Sequence, residues 1–245
     1  MNVTALNDIR SSSLTRFNST WFQLDWLYGG GIPRGKISLW AGMPGVGKTR
    51  ISVELLKRLD RAGMRSLIFQ GELNPEEFAG EKMGGYRSYK IFVSPSVSID
   101  EQIAIIEKIR PDLVITDSVQ QVEEYKDGRG AKEIVRKLRE VIVMTGTHVI
   151  FLSQTTIQGH AKGGTKLPHE VDLVAELKPL PEAMVQMQVP TKNRFGKIGR
   201  SIFFVHEDWG VDVRPELFGD KAESQSQRSS LGTRMGKAFR GMFGR

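Results

Sequence analysis

One eight-residue segment constrains the fold of this chain more than any other feature. It reads Gly42-Met-Pro-Gly-Val-Gly-Lys-Thr49 and matches the pattern G-x-x-x-x-G-K-[ST]. In this pattern the glycines let backbone amides turn around a phosphate group, the lysine reaches the β- and γ-phosphates, and the threonine hydroxyl faces Mg²⁺. The apolar segment Lys36–Ala41 precedes it, and apolar residues at helical spacing follow it as far as Gly63. A strand, a phosphate loop and a helix are therefore predicted in this order.

The phosphate loop also predicts which ligands bind. We expect ATP and Mg²⁺ as cofactors, with Lys48 on the phosphates and the Thr49 hydroxyl on the metal. The residues expected to bind ATP are Gly42, Pro44, Gly45, Val46, Gly47, Lys48, Thr49 and Arg50.

The rest of the chain alternates between strand and helix patterns. Strands are predicted at Ser66–Gln70, Lys90–Val93, Leu113–Thr116 and Val149–Ser153, with helices between them. This alternation predicts an α/β fold of the P-loop type, with a largely parallel, twisted sheet flanked by helices. Three later segments with short links are predicted to add antiparallel strands at one edge: Val171–Leu177, Met184–Val189 and Ser201–His206.

Composition divides the chain into three parts. Residues 1–20 are polar and predict an irregular arm, residues 21–218 the core, and residues 219–245 a flexible basic tail. The formal charge is +7, but residues 221–245 hold six basic residues and one glutamate, which leaves +2 for the first 220 residues. Apolar residues alternate with basic ones in this tail, a pattern that suits a protein partner, DNA or an anionic membrane surface, or alternatively a disordered end.

The sequence also predicts a compartment. No apolar run approaches the roughly 20 residues that span a membrane, and polar residues occupy the N-terminus where a signal peptide has an apolar core. With no cysteine, the chain has neither a disulfide framework nor a thiolate zinc site. We therefore expect a cytoplasmic protein.

Three polar residues at predicted strand ends are candidates for catalysis. Asp117 ends the strand Leu113–Thr116 and is expected to hold the water shell of the metal. Glu72 follows Ser66–Gln70 and is expected to polarise the attacking water, although a solvated loop acid is the alternative. Gln154 follows Val149–Ser153 and is expected to sense the γ-phosphate. The carboxyl ends of parallel strands meet at one edge, where such sheets build their sites.

Two basic segments are candidates for binding DNA. Residues 155–167 (TTIQGHAKGGTKL) contain Lys162 and Lys166, three glycines and no acid, which suits contact with the backbone of single-stranded DNA. Arg129 lies in a second candidate segment, residues 122–132, where acidic residues weaken the positive field. A disordered surface loop is the alternative for the first segment, and a role for the second is left open.

With these elements identified, the chain resembles the RecA-like ATPase core of the RadA/Sms DNA repair proteins over about residues 21–211. The residues that carry the resemblance are Leu27–Gly35 (LYGGGIPRG), Gly71-Glu72, Asp117–Gln120 (DSVQ), Leu167–Asp172 (LPHEVD) and Lys192–Gly196 (KNRFG). The last motif is the hallmark of the family.

The resemblance implies a DNA-dependent ATPase that forms a ring, expected to be a hexamer, and moves along single-stranded DNA to promote branch migration. It implies phosphate and metal contacts for Lys48 and Thr49, a metal-shell role for Asp117 and a catalytic role for Glu72. It also implies that Lys192 and Arg194 reach the nucleotide of a neighbouring subunit.

The sequence departs from the family in two respects, since it contains no four-cysteine zinc motif and only a short tail follows the core. Two other functions remain open on the residues alone. One is a signalling or assembly ATPase of the KaiC type, and the other is a recombination mediator that binds DNA with little ATP turnover.

Overall fold

A computed structural model describes residues 14–125, 129–155, 166–207 and 210–213. Nine strands in these residues form one sheet: β3 (Ile37–Gly42), β4 (Ser66–Gln70), β5 (Ile91–Ser94), β6 (Leu113–Asp117), β7 (His148–Gln154), β8 (Leu173–Pro179), β9 (Met184–Gln188), β10 (Ser201–Glu207) and β11 (Gly210–Val213). Their order across the sheet is β11-β10-β9-β8-β3-β7-β6-β4-β5. The strand that leads into the phosphate loop, β3, therefore lies in the middle.

Helices connect most of these strands. They are α1 (Phe22–Tyr28), α2 (Lys48–Arg61), α3 (Pro75–Glu77), α4 (Ile99–Ile109), α5 (Ala131–Thr145) and α6 (Lys166–Glu170). A single π-helical turn, Phe78–Lys82, continues α3, and a 3₁₀ turn, Val119–Gln121, follows β6. None of the helices in the described part of the chain is long and apolar enough to cross a membrane.

The strands on one side of the sheet run parallel. From β8 through β3, β7, β6 and β4 to β5 every neighbouring pair is parallel, whereas β9 is antiparallel to both β8 and β10. The fold class predicted from the sequence, a largely parallel α/β sheet with antiparallel strands at one edge, is confirmed. The prediction for the first of the three late strands was wrong, because β8 pairs in parallel with β3.

Each face of the sheet packs against helices. Ile37, Leu39 and Ala41 alternate along β3 and pack with apolar residues of α4, α5 and α6. Trp40 faces the other way and packs with apolar residues of α1 and α2. Because side chains alternate along a strand, β3 contributes to both apolar layers and is buried throughout.

A second, two-stranded sheet lies at the N-terminal end of the described chain. It pairs β1 (Arg16–Phe17) with β2 (Ile32–Pro33) in antiparallel register. Phe17 belongs to the same apolar layer as α1 and α2. Two residues of the predicted irregular arm are thus in a paired strand, while the predicted tail, residues 219–245, lies outside the described residues.

Candidate nucleotide-binding site

The phosphate loop leaves β3 at the carboxyl edge of the sheet and enters α2. Gly45 and Gly47 have φ values of +75° and +96°, a conformation that favours glycine. Gly47 is the residue from which α2 starts, and it caps that helix through its backbone alone. The loop therefore ends at a helix N-terminus, where free backbone amides and the helix dipole favour an anion.

The Lys48 side chain folds back over this loop. Its ammonium group donates hydrogen bonds to the carbonyl oxygens of Gly42 at 2.8 Å and Met43 at 2.9 Å, and the residue is 7% exposed. Burial lowers the pKa of Lys48, and the Asp117 carboxylate partly opposes this. An ammonium group has three donors, so one donor remains for a phosphate oxygen.

Thr49 and Asp117 meet next to this lysine. The Thr49 hydroxyl donates to Oδ2 of Asp117 at 2.6 Å. Burial raises the pKa of Asp117, the hydrogen bond from Thr49 opposes the rise, and the nearby Glu72 carboxylate adds to it. In the described residues no group of three or more His, Asp or Glu could hold a metal ion. A hydroxyl and one carboxylate fit Mg²⁺, which takes few protein ligands and completes its shell with phosphates and water.

Glu72 lies on a turn whose shape depends on neighbouring glutamines. The side-chain oxygen of Gln70 accepts hydrogen bonds from the backbone amides of Glu72 at 3.1 Å and Leu73 at 2.8 Å. The side-chain amide of Gln121 donates to Oε1 of Glu72 at 2.8 Å. A side chain at Gly71 would collide with that glutamine, since an added Cβ would lie 2.4 Å from its oxygen. The turn thus directs an exposed carboxylate towards the phosphate loop.

These residues surround one open cleft with a volume of about 580 Å³. The predicted site residues that line it are Pro44, Gly45, Gly47, Lys48, Thr49, Arg50, Glu72, Asp117 and Gln154. Gly42 and Val46 are predicted ligands that do not line it. Val46 is 5% exposed and packs in the core, and a side chain at Gly42 would meet Val46 and Leu177.

Four further residues line the cleft that sequence reasoning did not identify. They are Val53, Glu81, Lys82 and Ser118. Lys82 lies on the π-helical turn, adds a third basic side chain to the cleft besides Lys48 and Arg50, and lowers the pKa of Asp117. No signal in the sequence pointed to Lys82, because its contact with the cleft depends on β4 and β6 being neighbours in the sheet.

The chain is similar to curated DNA repair proteins named RadA. It is 28% identical to the RadA of Aquifex aeolicus over 200 residues, which is 79% of this chain and 45% of that protein. It is 30% identical to the RadA of Mycobacterium tuberculosis over 199 residues, covering 78% and 42%. With the RadA of Escherichia coli it shares 25% over 217 residues, covering 85% and 47%. No family model matches the chain.

These similarities support membership of the chain in the RadA/Sms family. Its sheet order and phosphate loop agree with the RecA-like core expected for that family. The chain spans less than half of the length of each of these three relatives.

The RadA/Sms motif Lys192–Gly196 lies at the opposite edge of the sheet from the cleft. Arg194 donates to Oδ1 of Asp172 at 3.0 Å, and the other carboxylate oxygen accepts from the backbone amide of Ile37 at the start of β3. The five residue steps along β3 from Ile37 to Gly42, where the phosphate loop begins, correspond to roughly 17 Å. Lys192 donates to the carbonyl oxygens of Pro168 at 3.0 Å and His169 at 2.5 Å. Neither basic residue lines the cleft of its own chain.

The predicted DNA-binding residues are only partly described. Lys162 lies outside the described residues. Lys166 is exposed at the start of α6, whose Leu167 is 1% exposed and packs in the apolar layer under α5. Arg129 is exposed in the turn that precedes α5. Lys166 and Arg129 thus lie at the start of two helices on the same face of the sheet.

Proposed function

We propose that this chain is a magnesium-dependent ATPase that assembles into a ring, most simply a hexamer, and moves on single-stranded DNA during repair and recombination. Its relatives are named DNA repair proteins. One observation supports the proposal most strongly. The phosphate loop and the basic motif of the family lie at opposite edges of the same sheet.

Hydrolysis is proposed to use the groups that converge on the cleft. Lys48 binds the β- and γ-phosphates with its remaining donor. Glu72, held by Gln121 at 2.8 Å, accepts a hydrogen bond from the attacking water and aligns it with the γ-phosphate. Gln154 lies at the end of β7, next to Gly42 in register, and contacts the same phosphate.

The metal is proposed to bind between Thr49 and Asp117. Mg²⁺ there would neutralise charge on the phosphate oxygens. Thr49 contributes a hydroxyl oxygen, and Asp117 orients the surrounding water molecules. Because the charge of the metal favours ionised carboxylates, we expect it to offset the burial that raises the pKa of Asp117.

Lys192 and Arg194 are proposed to act on the nucleotide of a neighbouring subunit. A cation supplied from outside can accelerate phosphoryl transfer by roughly 10³ to 10⁵. Arg194 contacts Asp172 at the start of β3, too far from the phosphate loop at the end of β3 to contact a nucleotide bound there. Its side chain is nevertheless 56% exposed. In a ring that stacks the amino edge of one subunit near the carboxyl edge of the next, Arg194 completes the second site. ATP turnover would then require assembly.

DNA is proposed to bind along Lys162, Lys166 and Arg129. Contacts between cations and phosphates give affinity without sequence preference. The segment between Gln154 and Lys166 connects the γ-phosphate end of the cleft with α6 in the chain. We therefore expect the affinity for DNA to depend on which nucleotide the cleft holds. The basic tail, residues 219–245, is a separate candidate for binding a protein partner.

A DNA-dependent turnover assay tests this function. Single-stranded DNA should raise the ATP turnover of the wild type, and a Lys162→Ala/Lys166→Ala double variant should lose that stimulation while keeping its basal rate. Lys108→Ala removes an exposed lysine from α4 and is the matched control, which should be stimulated like the wild type. A strand-displacement measurement on the same samples reports movement.

Three results would contradict the proposal. Equal turnover with and without DNA favours the signalling ATPase. DNA binding without turnover, even by the assembled protein, favours the recombination mediator. Failure to bind ATP in the presence of magnesium, measured by calorimetry, refutes the assignment of the cleft.

A further inference from the structure

The side chain of Gln121 lies behind the carboxylate of Glu72. Its Nε2 donates a hydrogen bond to Oε1 of Glu72 at 2.8 Å, although the two residues are 49 positions apart in the chain. Glu72 lines the cleft, whereas Gln121 lines a separate small space near the ends of β4 and β6, together with Gly71 and Ser118. The hydrogen bond of Gln121 therefore ends on a cleft residue, while Gln121 itself lies outside the cleft.

The 3₁₀ turn that contains Gln121 is anchored in the core. Val119 and Val122, on either side of Gln121, are 0% and 3% exposed, and Tyr125 is 3% exposed. The backbone amide of Gln121 donates to the carbonyl oxygen of Ser118 at 3.0 Å and closes the turn. Shifting this turn would expose the buried apolar side chains to water, which is unfavourable. The backbone of Gln121 is therefore held in one position.

The chain that follows Gln121 is also fixed. The backbone amide of Glu123 donates to the carbonyl oxygen of Val97 at 3.0 Å. The carboxylate of Glu124 accepts hydrogen bonds from the amide of Ile99, the first residue of α4, at 3.1 and 3.2 Å. A carboxylate is favoured at a helix N-terminus. Because these contacts lie between Gln121 and Arg129, we expect DNA bound at Arg129 to leave Gln121 in place.

Glu72 is less protected than Gln121. It is exposed, and its turn is shaped by the side-chain oxygen of Gln70, which accepts hydrogen bonds from the amides of Glu72 and Leu73. These two bonds fix the backbone but not the side-chain torsions of Glu72. Holding a glutamate side chain in one rotamer costs conformational entropy, and a hydrogen bond to the carboxylate offsets that cost. The bond from Gln121 therefore selects the orientation of the carboxylate.

Gly71 leaves the space that this hydrogen bond requires. A Cβ added to Gly71 would lie 2.4 Å from Oε1 of Gln121 and 2.9 Å from Cγ1 of Val97. Gly71 is not among the glycines with a positive φ, so its backbone conformation is open to other residues. The close approach of Gln121 and Val97 thus explains the glycine, since a side chain there would displace the amide that contacts Glu72.

We propose that Gln121 is a positioning residue for ATP hydrolysis, whose side-chain amide holds the Glu72 carboxylate in the orientation that aligns the attacking water. The proposal rests on the proposed function, since it requires Glu72 to act on that water. A displacement of about 1 Å in a reacting group can slow a reaction by about 100-fold. A residue outside the cleft can therefore control the rate without contacting the nucleotide.

Two substitutions separate the hydrogen bond from the volume of the side chain. Gln121→Ala removes the donor, whereas Gln121→Glu keeps the shape and places a carboxylate against that of Glu72. A hydrogen bond to a charged group corresponds to roughly 10- to 100-fold in a rate. The kcat for ATP should fall about 10-fold or more in Gln121→Ala and further in Gln121→Glu. The dissociation constant for ATP, measured by calorimetry, should stay close to the wild-type value because Gln121 does not line the cleft.

Two further variants test whether the effect passes through Glu72. Gln186→Ala is the matched control, because Gln186 donates a side-chain hydrogen bond to Ser201 at 3.1 Å between β9 and β10, away from the cleft. It should hydrolyse ATP like the wild type. In a Glu72→Ala background, Gln121→Ala should cause no further loss of kcat, since residues that act through one another are not additive.

The outcomes distinguish this proposal from the proposed function. If the wild type hydrolyses ATP and both Gln121 variants match it, the proposal is wrong and the proposed function stands. A wild type without ATP turnover overturns both. Higher kcat in Gln121→Glu than in Gln121→Ala would indicate a packing role and overturn the hydrogen bond.

Single-stranded DNA provides the last readout. Because the turn is fixed on both sides of Gln121, Gln121→Ala should reduce turnover by the same factor with and without DNA. A loss confined to the DNA-stimulated rate would show that Gln121 transmits DNA binding, and it would overturn the positioning role.

Discussion

The two edges of the central sheet each contain an aspartate, and the two carboxylates are in opposite electrostatic situations. At the amino edge Asp172 is 3% exposed and receives hydrogen bonds from Arg139, Arg194 and the amide of Ile37. Burial alone would raise its pKa, but these bonds outweigh burial and the pKa lies below the ordinary value. At the carboxyl edge burial raises the pKa of Asp117, and the Thr49 hydroxyl is its hydrogen-bond donor.

The difference separates a group that stabilises the fold from one that is set up for a ligand. The ionised form of Asp172 is satisfied by protein alone, so it contributes to stability. The Thr49 hydroxyl and the Lys48 and Lys82 cations compensate the ionised form of Asp117 only in part, and a bound cation would add to this compensation. Perturbed acids of this second kind cluster at functional sites, where stability is sacrificed for function.

The largest expected effect tests whether the two edges act on one reaction. Lys48→Ala at the carboxyl edge and Arg194→Ala at the amino edge should each reduce ATP turnover about 1000-fold or more, because each removes a cation from the transition state. Mixing the two variants should restore part of the turnover, since some interfaces then pair an intact loop with an intact arginine. The measurement is ATP hydrolysis against mixing ratio.

Arg139→Ala is the matched control for that experiment. Arg139 shares Asp172 with Arg194, so its loss disturbs the same ion network. If Arg194 acts only through the fold, both arginine variants should lose turnover equally and mixing should restore nothing. That pattern would exclude a role across the interface.

The next effect concerns the stability of the amino edge. Asp172→Asn leaves two guanidinium groups without their carboxylate, and breaking a buried pair in this way costs about 3–5 kcal/mol. The unfolding free energy in urea should fall by about that amount. Asp212→Asn is the control, because Asp212 is 45% exposed and pairs with Arg58 at 3.4 Å, so its loss should cost less than about 1 kcal/mol. Equal losses would show that the Asp172 network is an ordinary surface pair.

The smallest effect has the opposite sign. Asp117→Asn removes a carboxylate whose ionisation the fold disfavours, so the unfolding free energy at pH 7 should rise by about 1 kcal/mol while ATP turnover falls. The folded-state pKa of Asp117 lies above the ordinary 3.8. The wild type therefore loses stability relative to the variant as the pH rises from 3.8 through the folded-state pKa. Urea titrations from pH 3 to pH 7 measure this difference.

The two aspartates should therefore differ in their pH dependence. The folded-state pKa of Asp172 lies below 3.8, so its contribution is complete above that pH and is lost as the pH falls through the folded pKa. The loss of unfolding free energy caused by Asp172→Asn, relative to the wild type, should accordingly be smallest at low pH. The gain of unfolding free energy caused by Asp117→Asn should be largest at neutral pH. Parallel curves for both variants would remove the distinction between the edges.

Much of the site could be predicted because its signals are local. The phosphate loop is eight consecutive residues, and Glu72, Asp117 and Gln154 each follow a strand whose pattern is visible in the sequence. All of these residues except Gly42, Met43 and Val46 line one cleft. Parallel strands bring their carboxyl ends to one edge whatever their order, so the prediction did not require the sheet order.

The sequence by itself determined the alternation of strands and helices and the chemistry of the phosphate loop, because period and motif are properties of neighbouring residues. Tertiary structure decided what depends on strand order and direction. It made β8 parallel to β3, brought Lys82 to the cleft and Gln121 to Glu72, and placed Arg194 on Asp172 at the other edge. These contacts join segments that are distant in the chain, and only the packing of the whole sheet specifies them.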